Sequence, residues 1–482
     1  MTLKRIRYVQ GTPRSDGRSS ELRAGLDLIR KQMEVPAGFP DAVMSEADRA
    51  VAAQRRDADD RTDIPLVTID PAASLDLDQA VYVERRKPGG YRVYYAIADV
   101  AAFVTPGEAV DNESHERGTT LYLPDGRAPL HPLVLSEGAA SLLPNQERPA
   151  LLWALDVDAT GEGVSAEVRH ARVRSRAKLS YEDVQAALDA GTAGESLELL
   201  RDVGLLRQRR EAERGGVSLP VPEQEVVDDG GSYSLAFRAL LPVEGWNAQI
   251  SLMTGTAAAE LMLYGEIGIL RTLPEPSRGA IRRLRRVSHA LHVAWPDGMT
   301  YAEMVRGLDP SKPRQAALLQ EASGLLRGSG YTAFVGGVPE RAEHAAVAAP
   351  YAHVTAPLRR LADRYAGEIC VALCAGAEIP DWVRSALPAL PAVMEKADAK
   401  ASTVEGACVS LVEAALLSGR EGETFEGVVV DVKRDRDGGT VQLADPAVRG
   451  PLEGPDLPLG HRLPVRLVTA DVSTRQIRFV PA

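Results

Sequence analysis

The chain has 482 residues, 45% of them hydrophobic and 26% charged, values of a globular protein long enough for two or three domains. A formal charge of -11 argues against a protein that coats nucleic acid over its whole surface, while leaving room for a local basic channel. No apolar run approaches a membrane span and no cleavable leader follows Met1, so a cytoplasmic protein without membrane association is expected.

Residues 1–31 hold eight Lys or Arg against three acids, which makes that end locally basic. Leu22, Leu26 and Ile29 fall on one stripe and predict a helix over residues 21–33. The breaker VPAGFP then leads to a second helix over residues 42–56. Such a helix-turn-helix-like element either packs onto the next domain or touches nucleic acid.

Residues 66–81 read LVTIDPAASLDLDQAV. The β-branched run at 64–69 and the apolar run at 80–84 predict two strands, so the residues between them turn across a sheet end. Asp76 and Asp78 share a face if that piece is extended, and Asp70 stands at a strand end before Pro71. An acidic solvated turn is one reading. The other is a convergent carboxylate site, where hard oxygen donors without nearby Cys or His suit Mg²⁺ or Mn²⁺ rather than Zn²⁺.

Beyond Gln79 a meander is expected, with a strand to residue 86, the turn KPGG and a long strand over 91–104. Residues 181–214 and 246–266 read as helices, the latter apolar with small residues suited to close packing. A helix over 278–292 carries Arg278, Arg282, Arg283, Arg285 and Arg286 at spacings that put several on one face, either solvated or on phosphate. Residues 350–369, PYAHVTAPLRRLADRYAGEI, predict a helix starting at Pro357 with Thr355 as its N-terminal cap. The free N–H groups of that first turn, with Arg359 and Arg360 beside them, would make an anion site. Cys370, Cys374 and Cys408 show no CxxC spacing and read as buried thiols. A further helix is expected over 394–417. From about residue 421, FEGVVVDV opens a series of short strands at 440–443, 461–467 and 476–480 that predicts a small OB-type barrel. Its only aromatics are Phe425 and Phe479, and its ten acids outnumber its eight basic residues, so its surface is a poor stacking platform.

TIDPAASLDLDQA resembles the signature of the RNB exoribonucleases, the family of bacterial ribonucleases II and R, usually TIDPxxAxDxDDA. RGTTLYLP and LSEGAASLLPNQER fall in order on two further landmarks of that family, and YAHVTAPLRRLAD is similar to its YxHFTSPIRRYxDL motif. The resemblance implies an α+β fold: an N-terminal basic helical region over residues 1–62 in place of cold-shock domains, an RNB catalytic domain over 63–417 and an S1-type barrel over 421–482. It implies that Asp70, Asp76 and Asp78 hold Mg²⁺, or Mn²⁺, in a two-metal site. Gln79 replaces the fourth acid and offers a carbonyl oxygen as the remaining ligand. Asp78 and Arg359 would be catalytic, Arg359 holding the scissile phosphate. Tyr122 would stack on bases near the 3′ end, and Thr355, Arg359 and Arg360 would contact RNA. The implied activity is processive 3′→5′ hydrolysis of single-stranded RNA to nucleoside 5′-monophosphates by a monomer. The alternative is a catalytically impaired RNB scaffold that binds RNA, motivated by Gln79, by Ala356 in place of Ser and by Lys400 in place of Glu.

Overall fold

The computed structural model describes residues 6–10, 18–53, 58–218, 223–228, 233–238, 240–326, 328–433, 437–443 and 445–482. The Gly/Ser/Arg segment before the first helix lies outside the described residues.

A five-stranded sheet carries the centre of the molecule, in the order Asp59–Asp60, Gly163–Arg174, Glu147–Val157, Tyr91–Ala98, Gln79–Arg85. Its neighbours pair antiparallel except the short first strand. Side chains alternate across a strand, so successive apolar residues feed two different cores. Val81, Val83, Val93, Tyr95, Ile97 and Trp153 join the larger cluster, with the helices on one face. Ala80, Ala96, Ala98 and Leu152 join a smaller one with Val43 and Ala47 of the helix Asp41–Ala52. Burial on both faces explains why the central strands Tyr91–Ala98 and Glu147–Val157 carry long apolar runs.

The expected strand over 64–69 is shorter than its composition suggests. Thr68–Ile69 pairs parallel to Lys178–Leu179 and Val67 makes a single antiparallel bridge to Val81, while Ile64 and Leu66 are buried anchors in the smaller cluster. The strand from Tyr91 stops at Ala98 because Asp99 turns the chain, its side chain accepting from the Ala102 N–H to cap a 3-10 turn. Residues 181–214 form two helices, Tyr181–Asp189 and Glu195–Arg214, separated by Gly191 at φ +67. In the helix Pro242–Tyr264, Gly255 lets the chain at Tyr351 and Ala352 close in; a Cβ there would meet the Tyr351 ring at 2.3 Å.

The N-terminal helix Arg18–Gln32 buries Leu22, Leu26 and Ile29 in a cluster shared with the helix Leu390–Leu417 and the C-terminal barrel. Its apolar stripe is therefore a packing face, and Lys400 ties the long helix to the following turn through the Glu34 carbonyl at 2.8 Å. The helix Arg278–Ala290 buries Leu284 and Val287, pairs Arg283 with Glu321 and lays Arg285 over Trp295. Cys370 and Cys408 are buried as expected, whereas Cys374 is only half-buried. The C-terminal strands Thr424–Val432, Gly439–Leu443, Arg449–Leu452, Gln476–Pro481 and Arg462–Asp471 close into a barrel in that order. Phe425 and Phe479 meet edge to face inside it, so neither ring is free to stack a base.

Candidate active site

The aspartate loop is irregular, and its shape comes from bonds to distant residues. The Ser141 hydroxyl donates to the Leu75 carbonyl at 2.6 Å and accepts from the Leu77 N–H at 3.0 Å. Lys178 donates to the Ala72 carbonyl at 2.6 Å. These contacts satisfy a backbone that has no sheet partner and fix where Asp70, Asp76 and Asp78 emerge.

Opposite lies a turn over residues 355–360. The Ala356 N–H donates to Asp363 Oδ1 at 2.7 Å, and the Leu358 N–H donates to Asp78 Oδ1 at 2.8 Å. On the far side, the Thr119 hydroxyl and the Thr120 N–H both donate to the Arg359 carbonyl, at 2.9 and 3.0 Å. The RGTT segment thus holds the turn from behind, with Gly118 at φ +64 allowing the approach. This arrangement corrects the expected helix start at Pro357. The helix is Leu361–Ala375 with Arg360 at its N-terminal cap position, and two N–H groups that would have faced a bound anion are donated to buried carboxylates instead.

Two adjacent arginines therefore differ in surroundings. Arg359 Nε donates to Asp78 Oδ2 at 3.2 Å; its side chain is 49% exposed, and among the described residues its terminal nitrogens have no hydrogen-bond partner. Arg360 is locked on Asp363 by two bonds of 2.5 and 2.8 Å, and the Asp363 carboxylate is wholly buried. Arg360, expected to contact RNA, has its bidentate edge in a structural ion pair. Thr355 is also withdrawn, 6% exposed, its hydroxyl accepting from Ser251 at 3.0 Å.

Burial pushes the Asp78 carboxyl up to about 8, although Arg359 and the Leu358 N–H pull it down. Burial likewise raises Asp70 to about 6, against the pull of Arg359, with Asp76 adding a like charge. Asp76 pairs with Arg127 at 2.7 Å, and Arg127 also bonds Glu137. Tyr122 donates to Asp76 Oδ2 at 3.4 Å, and 39% of its surface is exposed beside the acids.

The donor set fits a hard divalent cation: three carboxylates in one neighbourhood, and an Asp70 side chain that accepts no hydrogen bond among the described residues. Their spacing is open. Among the described residues the one group whose ligand atoms all lie within 4.8 Å is Asp99, His170 and Glu368, elsewhere on the sheet. Gln79, expected to offer the remaining oxygen, has its amide engaged elsewhere. Its amide nitrogen donates to the Thr355 carbonyl and its oxygen accepts from Tyr95 at 3.2 Å.

Arg127 had no sequence pattern to announce it beyond its place in the turn PDGRAP, four residues after Leu123. Tyr95 and Ser251 were equally silent, since a Tyr in an apolar strand and a Ser in an apolar helix read as packing.

The model of the RNB domain matches residues 58–374, and that of the RNase II-type exonuclease C-terminal S1 domain matches residues 423–482. Ribonuclease R of Escherichia coli (strain K12) is 28% identical over 365 residues, 70% of this chain and 43% of that protein. The human exosome complex exonuclease RRP44 is 25% identical over 369 residues, 73% of this chain and 38% of that one. The chain thus spans less than half the length of these relatives. Among solved structures, Mycoplasma genitalium RNase R in complex with ribose methylated single-stranded RNA has a TM-score of 0.85 at 21% identity, covering 96% of this chain and 78% of that one. Yeast Ssd1, a pseudonuclease, shares the fold at a TM-score of 0.68 and 15% identity, with 94% and 57% covered. Since the RNB-domain match spans more than half of its residues, this chain belongs to the RNB family.

Proposed function

We propose that the chain is a Mg²⁺-dependent 3′→5′ exoribonuclease that degrades single-stranded RNA processively to nucleoside 5′-monophosphates. The observation that carries this reading is the pair of bonds to Asp78 from the Leu358 N–H and the Arg359 guanidinium, which joins segments 280 residues apart into one acidic and basic face. Mg²⁺, or Mn²⁺, bound by Asp70, Asp76 and Asp78 would supply the positive charge that acidifies water and stabilises a departing 3′ oxygen.

The chain's own groups do the rest. The free edge of Arg359 meets the non-bridging oxygens as their charge grows, an electrostatic contribution held in place before the reaction begins. Ion pairing to Asp78 orients that edge. Tyr122 offers an exposed ring beside Asp76 for a terminal base, and stacking tolerates any base because each has a π face. Arg127 offsets the Asp76 charge and limits repulsion of an incoming phosphate.

A second reading follows from Gln79: an RNB scaffold short of one acid that binds RNA without cutting it. Incubation of end-labelled RNA with increasing Mg²⁺, with EDTA as the metal-free control, separates the two. Mononucleotides released only with metal support the enzyme, and retention of full-length RNA by protein at all Mg²⁺ levels supports the scaffold. The same gel on matched DNA tests sugar selection.

A further inference from the structure

Gln79 lies next to Asp78 in sequence, yet its side chain belongs to a different network. The Thr355 carbonyl can only accept, so the amide nitrogen of Gln79 must face it, and the amide oxygen is thereby aimed at Tyr95. The Tyr95 hydroxyl also lies 3.2 Å from Ser251 Oγ, and Ser251 donates to Thr355 Oγ1 at 3.0 Å. Four residues from two strands, the central helix and the turn thus gather around Thr355: Gln79 and Ser251 each donate to it, and Tyr95 donates to the Gln79 amide oxygen. Tyr95 is 1% exposed and Thr355 6%, so a member that loses its partner does not regain one from water.

We propose that Gln79 is a positioning residue for the arginine turn and not a cation ligand; this rests on the hydrolytic reading above. Thr355 enters the turn immediately before Ala356, whose carbonyl accepts from the Arg359 and Arg360 N–H groups at 3.2 and 3.0 Å. Gln79 holds the entry of the turn at the Thr355 carbonyl, while Thr119 and Thr120 hold its exit at the Arg359 carbonyl. Between these two fixed points the Leu358 N–H and the Arg359 guanidinium are presented to Asp78. A carboxylate at position 79 has no proton to donate to Thr355, so an acid there would serve a cation and release the turn. In this chain the amide does the opposite.

Three variants test the role: Gln79→Leu, Gln79→Glu and Tyr95→Phe, each checked for an unchanged melting transition. Three readouts are followed: Mn²⁺ affinity of the RNA-free protein by calorimetry, RNA affinity in EDTA, and kcat at saturating Mg²⁺. A positioning role predicts that Gln79→Leu and Gln79→Glu keep Mn²⁺ affinity within about threefold of the parent or tighter. It also predicts RNA affinity weakened roughly 5- to 10-fold and kcat lowered by about 10-fold or more, the scale of one buried hydrogen bond. Tyr95→Phe should move the same two readouts in the same direction, and the Gln79→Leu/Tyr95→Phe double variant should lose less than the two single losses combined. The proposal is overturned by a Gln79→Leu protein whose Mn²⁺ affinity falls tenfold or more, or by one whose RNA affinity and kcat are unchanged. Should the parent itself show no turnover, the hydrolytic reading fails alone, because metal-free RNA affinity and Mn²⁺ calorimetry still decide whether Gln79 is clamp or ligand.

Discussion

The aspartate loop and the arginine turn face one another, and both are irregular chain held by remote donors, yet they spend their polar groups in opposite ways. The loop anchors its backbone through Ser141 and Lys178 and turns its carboxylates toward the arginines, Asp78 on Arg359 and Asp76 on Arg127, while Asp70 accepts no hydrogen bond among the described residues. The turn gives its N–H groups to the carboxylates of Asp78 and Asp363 and keeps one guanidinium half exposed. Under the proposed function one region would accept a cation and the other present one, so substitutions in the two should fail differently.

The largest effect is expected at the junction. Asp78→Asn keeps an oxygen for the Leu358 N–H but loses the charge that orients Arg359; hydrolysis should fall on the order of 10²–10³-fold. RNA binding in EDTA should stay within about threefold, and an equal loss of both would contradict the division between the two regions. Next come the neighbouring arginines. Arg359→Ala should lower kcat about 100-fold with little change in melting temperature, and Arg359→Lys should recover only part, since an ammonium cannot span Asp78 and a phosphate together. Arg360→Ala should instead destabilise the fold by about 3–5 kcal/mol, because Asp363 would remain buried without its cation. Chemical denaturation of the two variants side by side reads this difference, and identical profiles would sink it.

Arg127→Ala sharpens the acidic side. Removing the guanidinium from Asp76 should tighten Mg²⁺, seen as a several-fold lower midpoint in the metal titration; a higher midpoint would mean that Arg127 organises the loop rather than competes for it. The smallest effect lies away from both regions. His170 is held by Asp99 at 2.8 Å, a hydrogen bond that raises its pKa to about 9 from the ordinary 6.5. A raised folded-state pKa stabilises fully below about pH 6.5, and this contribution is lost as pH rises through about 9. Melting temperatures of the parent and His170→Gln should therefore differ more at pH 6 than at pH 10, and a difference that widens with pH would refute the assignment.

How far the sequence reveals these regions depends on the range of the contacts involved. Asp70, Asp76, Asp78 and Arg359 are legible because they sit inside short motifs whose spelling survives without a structure. The small barrel is legible from its strand spacing and turns. Local signals favour a helix start at Pro357, a Thr, a Pro and an amphipathic run, yet the helix begins at Leu361. What overrules them is Asp78, 280 residues away, which takes the Leu358 N–H. The orientation of Gln79 was hidden for the same reason, since its two partners come from another strand and from the turn. The apolar run at 64–69 reads as a strand by composition, but only its second half, Val67 to Ile69, finds strand neighbours. Local chemistry speaks through the sequence; its long-range competitors do not.

Arg117 carries one last implication. Its guanidinium stacks 3.7 Å from the Phe39 ring centroid, donates to the Gly38 and Pro129 carbonyls and pairs with Glu113, while the next three residues brace the turn that bears Arg359. The RNB-domain match begins at residue 58, downstream of Gly38 and Phe39. A protein trimmed to that boundary would strip this buried arginine of its ring and of one acceptor, two links from the exposed edge of Arg359. The limits of the recognised domain and the limits of the mechanical unit are therefore different, and the connection between the first two helices belongs to the second.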